Sequence, residues 1–301
     1  MKFRMLLFIL ALLGGVIGCK QQPKTETETP PATDTFRSKI GIQLYSLRDQ
    51  VKENLDSALA FVQAQGITDV ELAGTAGLTP EEFKAKLDQY GLKPSSAHYG
   101  MNIFRDSIDK VIAEAKIFGV PYVGTAWIEH KADTITFAEI QEAVRVFNIA
   151  GKKLKENGLQ FFYHVHGFEF VPYEGGTYFD YLYNNTDSAN VMFEEDIFWV
   201  RHGGQDPIEF LRKYGSRIPL MHVKDMDKSV VGNLTGHEDV KMDVAWGTGQ
   251  IDIKGVLQLG AQTGVKHFYL EDESPTVLSQ IPQSLKFTEG FSADNAKEEM
   301  Q

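Results

Sequence analysis

Short apolar runs rich in β-branched and aromatic residues alternate along this chain with stretches whose apolar positions recur every three or four residues. Such alternation predicts repeated β-α units and a parallel sheet, since parallel strands need a crossover between them. Eight runs read as strands: KIGIQLYS (39–46), ITDVELA (67–73), LKPSSAH (92–98), VPYVGTAW (120–127), LQFFYHVH (159–166), NVMFEED (190–196), IPLMHVKD (218–225) and VKHFYLED (265–272). Helical patterns separate them. From 54 to 65, Leu55, Leu59 and Val62 share one face. Thr79 caps a helix with Pro80 in its first turn. The stretches 107–118 and 137–157 end at Gly119 and Gly158, residues suited to a left-handed terminator. A shorter helix opens at Asp206-Pro207 and closes at Gly215. A polar stretch from 225 to 250 has no convincing period; a helical pattern at 251–262 and a closing amphipathic stretch at 279–291 follow. Eight β-α units predict a single (β/α)8 TIM barrel.

The pattern fails at the amino terminus. Lys2 and Arg4 precede an apolar run, Met5 to Ile17, too short to span a bilayer comfortably, which is the layout of a signal peptide. It closes on Val16-Ile17-Gly18-Cys19, and this resembles the lipobox of bacterial lipoproteins, with the chain's one cysteine as the acylated residue. The segment 19–35 is polar, rich in Thr and Pro, and reads as a tether. The organisation expected is therefore a signal peptide over 1–18, the tether over 19–35 and the barrel over 36–301. Membrane contact is expected through the lipid anchor only, in a bacterial cell envelope, at an outer membrane facing the periplasm or the surface. The net charge of −11 argues against nucleic acid, whose binding rests on Lys and Arg neutralising phosphates. A small anionic substrate is not excluded by it.

Candidate chemistry gathers at the carboxyl ends of strands five to eight, the ends that converge on one rim of a β/α barrel. His164 and His166 are two apart and point the same way. Asp196 ends an apolar strand, where it needs a cation or several donors; a helix cap is the competing reading. His222 and Lys224 share a face, so a ligand and a basic substrate contact stand side by side, with Asp225 positioned to orient one of them. A solvated Lys-Asp turn is the alternative for that pair. Glu271, Asp272 and Glu273 crowd three negative charges at one strand end, and Glu271 lies nearest the strand. Mixed carboxylate and imidazole donors suit one divalent ion of the manganese, zinc, iron or cobalt type.

The runs YHVHGFEF, EEDIFWVRHGGQDP and PLMHVKDM, the Gly-rich WGTGQID and the closing YLEDE resemble the xylose isomerase-like β/α barrels. They are most like the sugar phosphate isomerase/epimerase proteins that share their domain with endonuclease IV. The opening GIQLYSLRD and the third-strand SSAH are similar too. The resemblance implies one divalent metal held by a residue from each of strands five to eight: Asp196, His222, Glu271 and, on strand five, His164, with Glu169 as its rival. It implies a base near the metal, for which Glu169, His166, His98 and Glu71 are the candidates; Glu71 has the alternative of a structural ion pair. The activity implied is metal-dependent isomerisation or epimerisation of a small carbohydrate by proton abstraction next to a carbonyl. A tethered envelope location favours non-phosphorylated sugars or keto-sugars. Elimination on 3-keto-glycosides is the alternative reaction, and a non-catalytic sugar-binding lipoprotein the alternative class. Endonuclease activity is disfavoured by the acidic charge.

Overall fold

The computed structural model describes residues 36–131 and 133–291. The signal-peptide and tether readings, Cys19 included, lie outside the described residues, as does the end of the chain after 291. Eight parallel strands close into a barrel: β1 (Ile40–Gln43), β2 (Asp69–Leu72), β3 (Lys93–His98), β4 (Tyr122–Thr125), β5 (Gln160–His164), β6 (Val191–Asp196), β7 (Leu220–Val223) and β8 (His267–Leu270). Each pairs with its neighbours in sequence, and β8 closes on β1 with Ile40 opposite Phe268. All eight lie inside the runs read from the sequence. The (β/α)8 barrel expected there is the fold observed.

Helices cover the outside, and their ends follow the local sequence. Thr79 and Glu82 form a reciprocal cap on Pro80–Gln89, and Thr136 with Glu139 repeats the arrangement on Phe137–Glu156. Ile108–Phe118 stops at Gly119, whose φ of 73° is the left-handed conformation that glycine adopts without strain. The long helix Phe137–Glu156 buries Ile140, Ala143, Phe147, Ala150 and Leu154. Phe147 packs on the outward rings of Phe161 and Tyr163 of β5. At the end of the closing segment, Phe291 lies 5.6 Å from Phe36, and Phe36 lies edge-on to Phe268 of β8, so the residue that follows the last helical turn packs at the β8–β1 seam.

Among the helices absent from the sequence reading, two flank β6. Tyr178–Asn185 is aromatic-rich and strand-like in composition, yet Thr177 and Asp180 cap it reciprocally and it packs on β6 through Phe179 and Phe193. Ile197–His202 begins directly at the end of β6, because Asp196 caps it; the apolar Ile197-Phe198-Trp199 turns into a helix instead of prolonging the strand.

The barrel interior is unusual. Layers of branched apolar side chains normally fill such a barrel. Here Gln43, Glu71, Ser96, His164, Glu194 and His222, all buried, occupy much of it. Strand register sets their levels: Gln43 lies opposite Glu71, Glu71 opposite Ser96, His164 opposite Glu194, and Asp196 opposite His222.

Glu195, between the two inward acids of β6, points to the other side of the sheet. It is 0% exposed and neither carboxyl oxygen has a partner. Burial first, then Asp196 and Asp206, push its pKa well above 4.5. The folded chain therefore keeps a proton that the unfolded chain has lost, and stability falls as pH rises above about 4.5. Glu195→Gln removes this contribution. Melting temperatures measured from pH 5 to pH 9 should fall less steeply with pH in the variant than in the parent; parallel curves would mean that Glu195 is ionised in the fold.

Candidate metal centre

A cavity of about 690 Å³ opens at the carboxyl ends of the strands. His98, His164, His166, His222, Lys224 and Glu271 all line it, so six of the residues singled out in the sequence meet at one mouth. Asp196 lies behind two of these lining residues, His164 and His222. Its Oδ1 accepts hydrogen bonds from the backbone N–H of Phe198 (2.8 Å) and Trp199 (3.0 Å), which is the helix cap. Its Oδ2 is left buried without a hydrogen-bond partner. That oxygen lies 3.8 Å from His164 Nε2 and 3.8 Å from His222 Nδ1, and Glu271 Oε2 lies 3.3 Å from the same His222 nitrogen. The cap and ligand readings of Asp196 thus fall on its two oxygens.

These separations identify the kind of group the site suits. At 3.8 Å a carboxylate oxygen and an imidazole nitrogen are too far apart to share a proton. They are spaced as two ligands of one ion are, each bond being about 2.0–2.2 Å. His222 Nδ1 is itself buried and unpartnered. Asp196, His222 and Glu271 can bring donor atoms within 4.8 Å of one another, and His164 Nε2 completes a set with one donor from each of β5 to β8. Burial, reinforced by Glu271 and opposed by Lys224 and His222, raises the Asp196 carboxyl to about 8. Glu271 is pulled down instead: burial works against its ionisation, but Lys224 and His222 prevail. A buried oxygen and a buried nitrogen facing each other unsatisfied cost several kcal/mol unless a cation lies between them (about 1–3 kcal/mol each). The residues present fit a divalent metal of the mixed oxygen and nitrogen type.

Lys224 is 2% exposed and still borders the cavity. Its ammonium is 2.7 Å from Glu273, 3.4 Å from Asp243 and 3.6 Å from Glu271, and it sits over the rings of Phe198 and Trp199. Burial disfavours its charge, but the surrounding carboxylates hold its pKa well above the usual value. It is a fixed positive charge inside an acidic mouth. Asp225 serves neither Lys224 nor a ligand. It accepts the backbone N–H groups of Met226 (2.8 Å), Gly247 (2.9 Å), Gly249 (2.9 Å) and Ile251 (3.2 Å), which anchors the Gly-rich loop to the end of β7.

Below the mouth lies a layer of proton-sharing groups. Glu194 Oε2 is 3.0 Å from His98 Nε2, 3.0 Å from His164 Nδ1 and 3.2 Å from His222 Nε2. Glu71 Oε1 meets His222 Nε2 at 2.5 Å, Gln43 Nε2 at 2.6 Å and His98 Nε2 at 3.1 Å, while its other oxygen accepts from Ser96. His98, His164, Glu194 and His222 form a second group close enough to share an ion.

Two base candidates sit elsewhere than the sequence suggested. Glu71 is 0% exposed and belongs to this deep layer, without a place on the cavity wall. Glu169 is likewise fully buried and off the cavity: Gly167, at φ 87°, turns the chain so sharply that Glu169 accepts from the Tyr163 hydroxyl and from the His166 N–H at 3.0 Å. Burial raises this carboxyl to about 7 against those hydrogen bonds. The structure thus places His164, and not Glu169, beside the other donors. His166 remains on the wall, stacked on Trp199 at 4.7 Å with Nδ1 unpartnered. Burial holds it down at about 3. His98, also on the wall, is driven the other way, to about 9: burial lowers it, but Glu71 and Glu194 outweigh burial. Sequence reasoning missed Glu194, although its spacing of two from Asp196 puts both on one face. It also missed Asp243 and His237, which come from the aperiodic stretch 225–250 and carry no local signal.

Residues 59–291 match the family model described as xylose isomerase-like TIM barrel. An inosose dehydratase of Geobacillus kaustophilus is 26% identical over 199 residues, 58% of this chain and 63% of that enzyme, so the match spans less than two thirds of the relative. A sugar phosphate isomerase/epimerase of Parabacteroides distasonis superposes with a TM-score of 0.69 at 24% identity, covering 85% of this chain and 97% of that one. The IolI protein, solved with a bound zinc atom, superposes at 0.62 with 16% identity over 87% of this chain and 97% of its own.

Asp196→Asn tests the division of labour between the two oxygens. The amide oxygen still caps Ile197–His202, so the far-UV spectrum and melting temperature of the metal-free protein should stay near the parent's. Zinc or manganese affinity, measured by competition with a chelator, should fall at least tenfold. Unchanged affinity would remove Asp196 from the metal centre.

Proposed function

The chain belongs to the xylose isomerase-like TIM barrel family, and from that premise we propose that it is a metal-dependent enzyme acting on a small, non-phosphorylated carbohydrate or keto-sugar. Its reaction begins with removal of a proton next to a carbonyl. The observation that carries this reading is a pair of buried, unsatisfied atoms, Asp196 Oδ2 and His222 Nδ1, facing each other between His164 and Glu271 beside a cavity large enough for a sugar. A divalent ion held there polarises a carbonyl and stabilises negative charge on its oxygen when the neighbouring carbon loses its proton.

The side chains around the cavity supply the rest. Lys224 carries a positive charge that cannot leave and can hold a substrate oxygen that gains negative charge. His166, on the cavity wall and kept uncharged by burial, is the residue assigned to take the proton. His98, whose Nε2 faces two carboxylates, is held as a proton donor. Five carboxylates, Glu238, Asp239, Asp243, Glu271 and Glu273, border the cavity, whereas Lys224 is already paired and no arginine lines it among the described residues. A phosphoryl group would meet repulsion there. This is the basis for preferring unphosphorylated substrates.

Elimination is favoured over epimerisation by one observation. Epimerising a carbon takes a proton from one face and returns it to the other, which requires two groups flanking that carbon. Glu169, the carboxylate that follows β5 after the turn at Gly167, is committed to Tyr163 and the His166 N–H. One base and one acid suffice for elimination: the base takes the proton from the carbon next to the carbonyl, and the acid gives one to the oxygen leaving the following carbon as water or as the glycosidic alcohol. The inosose dehydratase among the similar proteins agrees with that choice. Attachment to an envelope membrane through acylated Cys19 completes the reading; Cys19→Ser should move the protein from the membrane to the soluble fraction, and a variant that stays membrane-bound would refute the anchor.

The reaction is tested by incubating the metal-loaded protein with sugars, cyclitol ketones and 3-keto-glycosides in deuterated water. Deuterium should enter the carbon next to a carbonyl, and an unsaturated product should accompany it if elimination follows. His166→Ala should lower that rate roughly 100-fold or more while keeping the metal, and Glu169→Gln should leave it close to the parent's. Tight binding without exchange across the panel would make the protein a sugar binder.

A further inference from the structure

His164 and His222 face two layers at once. His164 Nδ1 is 3.0 Å from Glu194, and its Nε2 faces Asp196. His222 Nε2 is 2.5 Å from Glu71, and its Nδ1 faces Asp196 and Glu271. An imidazole that carries its proton on one nitrogen has a lone pair on the other, and the partner of the protonated nitrogen decides which is which. We infer that Glu71 and Glu194 are positioning residues: each takes the inward N–H of one imidazole and so aims the outward lone pairs, His164 Nε2 and His222 Nδ1, at the metal site. This rests on the metal-dependent reading given above.

The alternative occupant of these donors is an ion in the deep group of His98, His164, Glu194 and His222. Satisfaction of the two layers argues against it. In the deep layer one oxygen, Glu194 Oε2, lies within 3.0–3.2 Å of three ring nitrogens, the arrangement of an acceptor among donors. His222 Nε2 and Glu71 Oε1, at 2.5 Å, are closer than neighbouring ligands at about 2.0–2.2 Å from one ion can approach without crowding. Of the deep carboxylate oxygens only Glu194 Oε1 lacks a partner, whereas on the mouth side both Asp196 Oδ2 and His222 Nδ1 are unsatisfied. The deep groups satisfy one another. The mouth groups await something. Neither ring could serve both layers without losing its remaining proton.

Two consequences separate positioning from ligation. Glu194→Ala and Glu71→Ala should each weaken zinc binding roughly 10–100-fold with one ion still bound at saturation. Glu194→Gln, whose amide oxygen accepts the same N–H, should recover most of that loss; a carboxylate ligand would not be rescued by an amide. Nitrogen-15 spectra of the metal-free, histidine-labelled full chain, recorded at a pH high enough to leave both rings neutral, should show His164 protonated on Nδ1 and His222 on Nε2, with Glu194→Ala shifting the first and Glu71→Ala the second. If the alanine variants do not fold, the parent spectra and Glu194→Gln still decide. Outward protons in the parent, unchanged affinity in the alanine variants, or a failed glutamine rescue would each overturn the assignment. Should zinc not bind the parent at all, the metal-dependent reading falls, while the spectra of the metal-free chain still decide the tautomers.

Discussion

Burying ionisable groups inside a barrel is the constraint around which this structure is organised. An isolated charge moved from water to a protein interior costs far more than a domain's net stability, so such groups persist only when paired, protonated or bound to an ion. Glu71, Glu194, Asp196, His164, His222 and Glu271 all lie below one tenth exposure. Strand register brings them to adjacent levels, and almost every contact among them joins a carboxylate to an imidazole. The barrel gives up part of its apolar packing to hold this column.

The surrounding loops and helices respond to the same constraint. Asp196 ends β6 and starts a helix with one oxygen, which leaves the other no freedom to turn away from the mouth. Lys224 counters three carboxylates at the rim, and the backbone N–H groups gathered by Asp225 fix the Gly-rich loop beside it. The sharp turn at Gly167 carries Glu169 out of the cavity and leaves His166 on its wall. A compact, pre-positioned site results, with each polar group held by one the fold already needs.

The barrel was legible because each strand announced itself by a short β-branched or aromatic run and each helix by its period and cap. Asp196, His222 and Glu271 were legible for the same reason: they end strands, and strand ends converge. Glu169 misled because proximity in sequence to a histidine pair says nothing about a left-handed glycine between them. Aromatic composition hides the helix Tyr178–Asn185, and its capping Thr177 and Asp180 are the one local signal for it. Asp243 and His237 reach the mouth from a stretch without periodicity, so only the folded chain could place them.

On the metal-dependent reading, the buried column presents its unsatisfied atoms outward, to one ion at the mouth. Anomalous diffraction at the absorption edge of zinc or manganese, from crystals of the metal-loaded protein, tests it most directly. A single strong peak is expected, bounded by His164 Nε2, Asp196 Oδ2, His222 Nδ1 and Glu271 Oε2. A peak among His98, His164, Glu194 and His222, or none at any of these atoms, would contradict it.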